Sequence, residues 1–159
     1  VIIAIDPGAS MGWATSKVSG SGVVTRSGVI QHKGDLGDRL VSLDRWAARE
    51  FLKAEAIYCE RPAYAPGNST TTLWSMLGVI QLHARRCRIP FILKSAGTIK
   101  KHVTGSGRAS KGDVVKAVQS MIKRSVKDHN EADALALLFL ALSEQEQGGT
   151  GSPEPVLER

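Results

Sequence analysis

Asp133 stands alone in the stretch from Ala132 to Leu142, whose other ten residues are all Ala, Leu or Phe. A helix that is apolar all round is a buried helix, and a buried carboxylate without a partner costs several kcal/mol or gives up its charge. A cationic side chain, a hydrogen-bond donor or a metal ion must therefore hold Asp133. Two further acids sit where apolar runs end: Asp6 follows VIIAI and precedes Pro7-Gly8, and Glu60 ends EAIYCE before Arg61-Pro62. Ligands of open α/β sheets bind at the carboxyl ends of strands, so Asp6 and Glu60 converge if their strands are neighbours. Asp133 joins them from a helix packed on the same sheet. Three close carboxylates repel one another, and a divalent cation relieves that strain. All-oxygen ligation with open positions suits Mg²⁺ or Mn²⁺. Two such ions about 3.5 to 4 Å apart can activate a water and stabilise the leaving oxygen in phosphodiester hydrolysis. Each acid also has a plainer reading: Asp6 as a turn residue, Glu60 as an exposed strand end, Asp133 as half of a buried pair with Lys or Arg.

The elements that must carry these residues are visible in the pattern. VIIAI is a continuous β-branched run, the mark of a central strand buried on both faces. GWATSKV and GVVTRSGVI follow as two more strands of an antiparallel meander around a Ser-Gly-Ser-Gly turn. The period then changes, with Leu36, Leu40, Leu43, Ala47 and Phe51 on one helical face. EAIYCE is a fourth strand and PFILK a short fifth, with the loop RPAYAPGNST and a helix through TTLWSMLGVIQLHARR between them. Beyond Lys94 the chain reads as helical: about 96 to 103, a break at TGSGRAS, about 111 to 123, and the final apolar helix. This order describes a three-layer α/β domain with a mixed five-stranded sheet flanked by helices. The domain is expected to span 1–143, and the composition of 144–159 is that of a disordered tail.

At 159 residues the chain is expected to be one domain with a substantial core. It begins on Val rather than Met, so its numbering is expected to start inside a longer natural chain. No apolar run reaches the length of a membrane span and no signal-peptide pattern is present, so the chain is expected to be soluble and intracellular, that is cytoplasmic. Cys59 and Cys87 fit neither a disulfide framework nor a zinc site, and are expected to be reduced, semi-buried thiols. The net charge is +6, and twelve of the lysines and arginines fall between Arg85 and Lys127 against one acid, Asp113. Such asymmetry points to a polyanionic partner, most simply nucleic acid, or else to a solvated basic face. TGSGR lacks the Walker pattern and follows no strand, so no nucleotide cofactor is expected. Trp13, Trp46 and Trp74 read as core, and His32, His83 and His102 show no metal spacing.

IAIDPGASMGWA, AIYCERPAY, IKKHVTGSGRASKGDVVKAV and NEADALALL occur in the order found in RuvC-type Holliday-junction resolvases, members of the RNase H-like nuclease superfamily, which the chain resembles from residue 2 to 138. The resemblance implies a homodimer that binds a four-way DNA junction and nicks two strands symmetrically, with two Mg²⁺ (or Mn²⁺) ions in each active site. By position, Asp6, Glu60 and Asp133 match the family's metal-binding acids. Lys100 and Lys111 match two basic residues placed near the scissile phosphate, where an ammonium can stabilise developing charge. Where the family usually has an acid or a His three residues before the final Asp, this chain has Asn130. On a helix that position shares a face with Asp133, and its amide oxygen is a neutral, weaker ligand. His129 or Glu131 would compensate, with His129 ranked first, or else the substitution is inactivating. Tyr64 resembles the family's junction-stacking aromatic. Arg61, Lys101 and Arg108 are DNA-binding candidates, as are Gly105 and Gly107, which would let the backbone approach a phosphate. The stripe Leu73, Leu77, Ile80 and His83 or Ala84 is the candidate dimer interface, the alternative being that it packs in the core. Two rivals stay open: a junction-binding module that has lost catalysis, and an actin-like phosphotransferase fragment suggested by IDPGASMGWA.

Overall fold

The computed structural model describes residues 1–19, 22–63 and 68–147. Strands β1 (Ile2–Asp6), β2 (Ser10–Ser19) and β3 (Gly22–Gln31) form the antiparallel meander. Helix α1 (Leu36–Glu50) and a single 3-10 turn (Phe51–Lys53) lead to β4 (Ala56–Glu60), then α2 (Asn68–Arg86) leads to β5 (Phe91–Lys94). Three helices follow: α3 (Ala96–Thr104), α4 (Lys111–Ile122) and α5 (His129–Glu146). The sheet order is β3-β2-β1-β4-β5, with β1, β4 and β5 parallel. β1 is central because every residue from Ile2 to Ile5 is apolar and can be buried on either face.

Alternation along the strands divides the core in two. Ile2, Ala4, Ala56 and Tyr58 face α3, α4 and α5, while Ile3, Ile5, Ile57 and Cys59 face α1, the 3-10 turn and α2. The result is the expected three layers. α5 lies across the first face, with Ala132, Leu135, Leu138 and Ala141 among its buried side chains. Its N-terminal end approaches β2 very closely: a Cβ built on Gly12 would stand 1.8 Å from the Asn130 carbonyl oxygen. Glycine is thus required at position 12 by contact rather than by backbone angle.

Several expectations change. α5 continues past residue 143 to Glu146, because Glu144 still holds Lys94 of β5 at 2.5 Å; residues 148–159 lie outside the described residues. The proposed interface stripe is core: Leu77, Ile80, His83 and Ala84 are buried against α1 and β4, and His83 Nε2 meets Asp44 of α1 at 2.7 Å. α2 faces outward instead through Trp74 and Leu82, 47% and 49% exposed, so Trp74 is not the core residue the sequence suggested. Trp46 is buried as expected. Cys59 is fully buried and Cys87 exposed, so only one thiol belongs to the core.

Candidate active site

Strand parity brings the acids together. Asp6 follows Ile2 and Ala4 on the face covered by α5, and Glu60 follows Ala56 and Tyr58 on that same face. Continuing the parallel register one residue past Ile5↔Cys59 sets Asp6 beside Glu60 at the carboxyl ends of neighbouring strands. Asp133 stands one turn into α5, above them.

The electrostatics show the proximity. Burial, followed by the charges of Glu60 and Asp133, pushes Asp6 up from the ordinary carboxylate range to about 8. Burial and then Asp133 push Glu60 to about 7. Asp133 is raised too, by burial, against the opposing pull of Lys111, Lys100 and His129. Three anions have been placed in one poorly solvated corner, where they oppose one another's ionisation. Lys100 and Lys111 bear on both Glu60 and Asp133, and Lys111 on Asp6 as well. The two lysines come from α3 and from the first turn of α4, whose start is fixed by a capping box between Ser110 and Asp113. Neither lysine makes a contact ion pair with Asp133 among the described residues, so the simple buried-pair reading of that acid does not hold.

Asn130 Nδ2 donates to Ser10 Oγ at 3.1 Å, and Gln31 Nε2 donates to the same oxygen at 2.8 Å. The amide oxygen of Asn130 is thereby turned away from Ser10. His129 is exposed and acts on Asp133 through space, whereas Glu131 is directed elsewhere, to Ser27 and Arg124. Of the two, only His129 is among the charges that bear on Asp133. Among the described residues no three His, Cys, Asp or Glu side chains already converge on one point. The carboxylates interact through space and would have to turn inward about their χ angles to share an ion.

The basic candidates lie next to Glu60, on α3 and in the connection between α3 and α4. Arg61 is exposed just past β4, its backbone N–H donating to Lys94 O at 2.8 Å. Lys101 is exposed on α3, and Arg108 lines an open groove of about 560 Å³ between α3 and α4 with Thr104, Ser106 and Lys116. The two glycines have structural tasks of their own. Gly105 closes α3 at φ 82°, a left-handed cap, and Gly107 packs so that a Cβ would lie 3.1 Å from Gly97 O. Tyr64 lies outside the described residues.

Sequence reasoning missed Asp128. Its side chain caps α5 by accepting the Asn130 N–H at 2.8 Å, and its charge also bears on Asp6. The signal was available, an Asp directly before a helical run, but a cap residue does not announce a second neighbour from a distant strand. Ser10, Gly12, Ser27 and Arg124 were missed because nothing local marks a residue that touches the other end of the chain.

A mixed sheet ordered β3-β2-β1-β4-β5, with acids at the ends of β1 and β4 and a third on the last helix, defines an RNase H-like α/β fold. Residues 2–141 match the family described as crossover junction endodeoxyribonuclease RuvC. The RuvC of Beijerinckia indica is 31% identical over 149 residues, covering 89% of this chain and 84% of that one. That of Gluconobacter oxydans is 32% identical over 144 residues, 86% of each. The Thermus thermophilus RuvC solved in complex with a Holliday junction substrate superposes with a TM-score of 0.77 at 20% identity, over 92% of this chain and 95% of that one, a likeness of fold. The chain belongs to the RuvC family. Among the described residues no helix is long and apolar enough to cross a membrane.

Proposed function

We propose that this chain resolves four-way DNA junctions as a homodimer, making paired symmetric nicks, with Asp6, Glu60, Asp133 and Asn130 holding two Mg²⁺ ions, or Mn²⁺, per active site. The donor set suits a hard divalent cation: three carboxylates, an amide oxygen, no thiolate and no buried imidazole. Ions held there supply the activation of water and the stabilisation of the leaving 3′-oxygen. Around them the chain's own groups bind and orient the strand. Lys100 and Lys111 present ammonium groups to the scissile phosphate as point charges. Arg61, Lys101 and Arg108 contact flanking phosphates, with the loop through Gly105 and Gly107 following the backbone, and Tyr64 stacks on a base near the branch point. Each chain carries one such site, so two coordinated nicks need two copies. The exposed stripe Trp74, Gly78 and Leu82 on α2, spaced i, i+4, i+8, is the apolar face available for a second copy.

The observation that carries this reading is the parity and register that set Asp6 and Glu60 side by side beneath Asp133, with two lysines bordering them. A synthetic four-way junction and a linear duplex of the same sequence, each incubated with and without Mg²⁺, test it. Symmetric nicks at the junction, dependent on Mg²⁺ and lost in Asp6→Asn, are expected. Undiminished cutting by Asp6→Asn, or equal cutting of the linear duplex, would overturn it. The neutral Asn130 favours a second reading, a junction-binding module with little catalysis; tight junction binding without nicks, with nicking gained in Asn130→Asp, would establish that reading instead.

A further inference from the structure

Burial alone does not tell α5 where to stop turning. From Ala132 to Leu142 every side chain except Asp133 is Ala, Leu or Phe, and apolar packing is non-directional. Such a helix finds the sheet readily, and polar contacts help to fix it about its own axis, as the Glu144–Lys94 pair does near its C-terminal end. A carboxylate oxygen about 6 Å from a helix axis moves about 2 Å for a 20° rotation. Misplacement of about 1 Å already costs a reacting centre on the order of a hundredfold.

The structure supplies a polar anchor at the turn that carries the site residues. Ser27 Oγ, on β3, donates to Glu131 Oε1 at 2.7 Å. Arg124, in the loop before α5, donates through Nη2 to Glu131 Oε1 at 3.0 Å and also to Ser27 Oγ. The Glu131 side chain is 15% exposed and that of Arg124 45%. The anchor therefore ties three separated stretches of chain, with Arg124 its most exposed member. The loop bearing Arg124 is held in turn, with Val126 N donating to Gln119 Oε1 at 2.9 Å and the Val126 side chain buried. Glu131 lies between Asn130 and Asp133 in sequence, so pinning it pins both. On the opposite flank of the same turn, Asn130 is held by Ser10 and by the close approach to Gly12.

We propose that Ser27, Arg124 and Glu131 form a clamp that sets the rotation of α5 and so places Asn130 and Asp133 for cation binding. Arg124 and Glu131 are then positioning residues. This rests on the reading of Asp6, Glu60 and Asp133 as the cation site. Partners that orient ligands affect metal affinity strongly even though they never touch the ion.

Calorimetric titration of the full chain with Mn²⁺, without DNA, tests the clamp independently of cleavage. Arg124→Ala and Glu131→Gln should each weaken Mn²⁺ binding by about tenfold. The double variant should be no worse than either single one, because the residues act as a unit, and Arg124→Lys should recover part of the loss. Ile80→Val, in the core on the other side of the sheet, serves as a variant of lowered stability and should bind Mn²⁺ as the wild type does. Clamp variants that melt lower but bind Mn²⁺ with unchanged affinity would overturn the proposal. If Asp133→Asn itself left Mn²⁺ binding intact, the site reading would fall, a result distinguishable from failure of the clamp alone.

Discussion

Asp6 in the folded chain titrates near 8 and Glu60 near 7, whereas their ordinary values are 3.8 and 4.5. Between those limits the folded state holds more protons than the unfolded one, so the free energy of unfolding falls as pH rises. In a chelator the protein should lose stability from about pH 4 to about pH 8 and level off above that, when both groups are ionised in either state. Saturating Mg²⁺ should restore most of the loss at pH 8.5 and little at pH 5, where protons already occupy the carboxylates. Thermal melts in chelator and in Mg²⁺ across that range measure this; a stability curve in chelator that is level from pH 4 to 8 would count against the buried acidic corner. In the same assay Asp6→Asn should melt several degrees above the wild type in chelator at pH 8.5, each kcal/mol recovered being worth about 2 to 4 °C in a chain of this size. That variant should gain little from Mg²⁺. Asn130→Asp should behave in the opposite way, adding a further repelling charge in chelator while lowering the Mg²⁺ needed for half-maximal cleavage on the order of tenfold.

α5 and β2 touch where neither sequence advertises it. A Cβ at position 12 would collide with the Asn130 carbonyl, a backbone atom that no side-chain rotation can move aside. Gly12→Ala should therefore lift the first turn of α5 off the sheet and cost about 3 kcal/mol. A lowered urea midpoint should accompany a larger loss of cleavage than a core substitution of equal cost such as Leu43→Ala. Equal losses in the two variants would mean that the close approach serves stability alone. This contact also shows what the sequence could and could not disclose. The five strands, five helices and their order were legible because their apolar periods are clean, and α5 was legible because its run is nearly unbroken. Asp6 and Glu60 could be picked out by position, as acids at strand ends, and Asp133 by its apolar surroundings. The apolar stripe of α2 through Leu77, Ile80 and Ala84 was legible, but not what covers it, because Trp74, Val79 and Leu82 give the helix apolar residues on its other side as well. Partnership with β4 and α1 buried Leu77 and Ile80 and left Trp74 and Leu82 outside. Asp128 escaped notice because nothing local marks its approach to Asp6, and the Ser27 anchor because it joins distant parts of the chain.

Across the whole molecule, the proposed chemistry must happen twice on one substrate. The basic region from Arg85 to Lys127 runs from the end of α2 through α3 and α4, so the helices that border the acids also carry most of the attraction for phosphate, and junction binding should weaken steeply with salt. α2, packed on the other face of the sheet, presents Trp74 and Leu82 to solvent. A two-fold axis through that stripe would join two copies while leaving both acidic corners open to DNA, whereas joining through α3 or α4 would cover the basic surface. Leu82→Glu should then convert the dimer to a monomer in sedimentation with little change in melting temperature, because the side chain already faces water. The informative substrate is a cruciform in a supercoiled plasmid. Two nicks made while one complex persists release a linear plasmid, but a single nick relaxes the supercoil and removes the cruciform before a second encounter. The wild type should yield linear product, and Leu82→Glu nicked circles that are not converted further. A variant that is monomeric yet still linearises the plasmid would show that pairing of the nicks does not depend on this face. One that stays dimeric would move the interface elsewhere on the molecule.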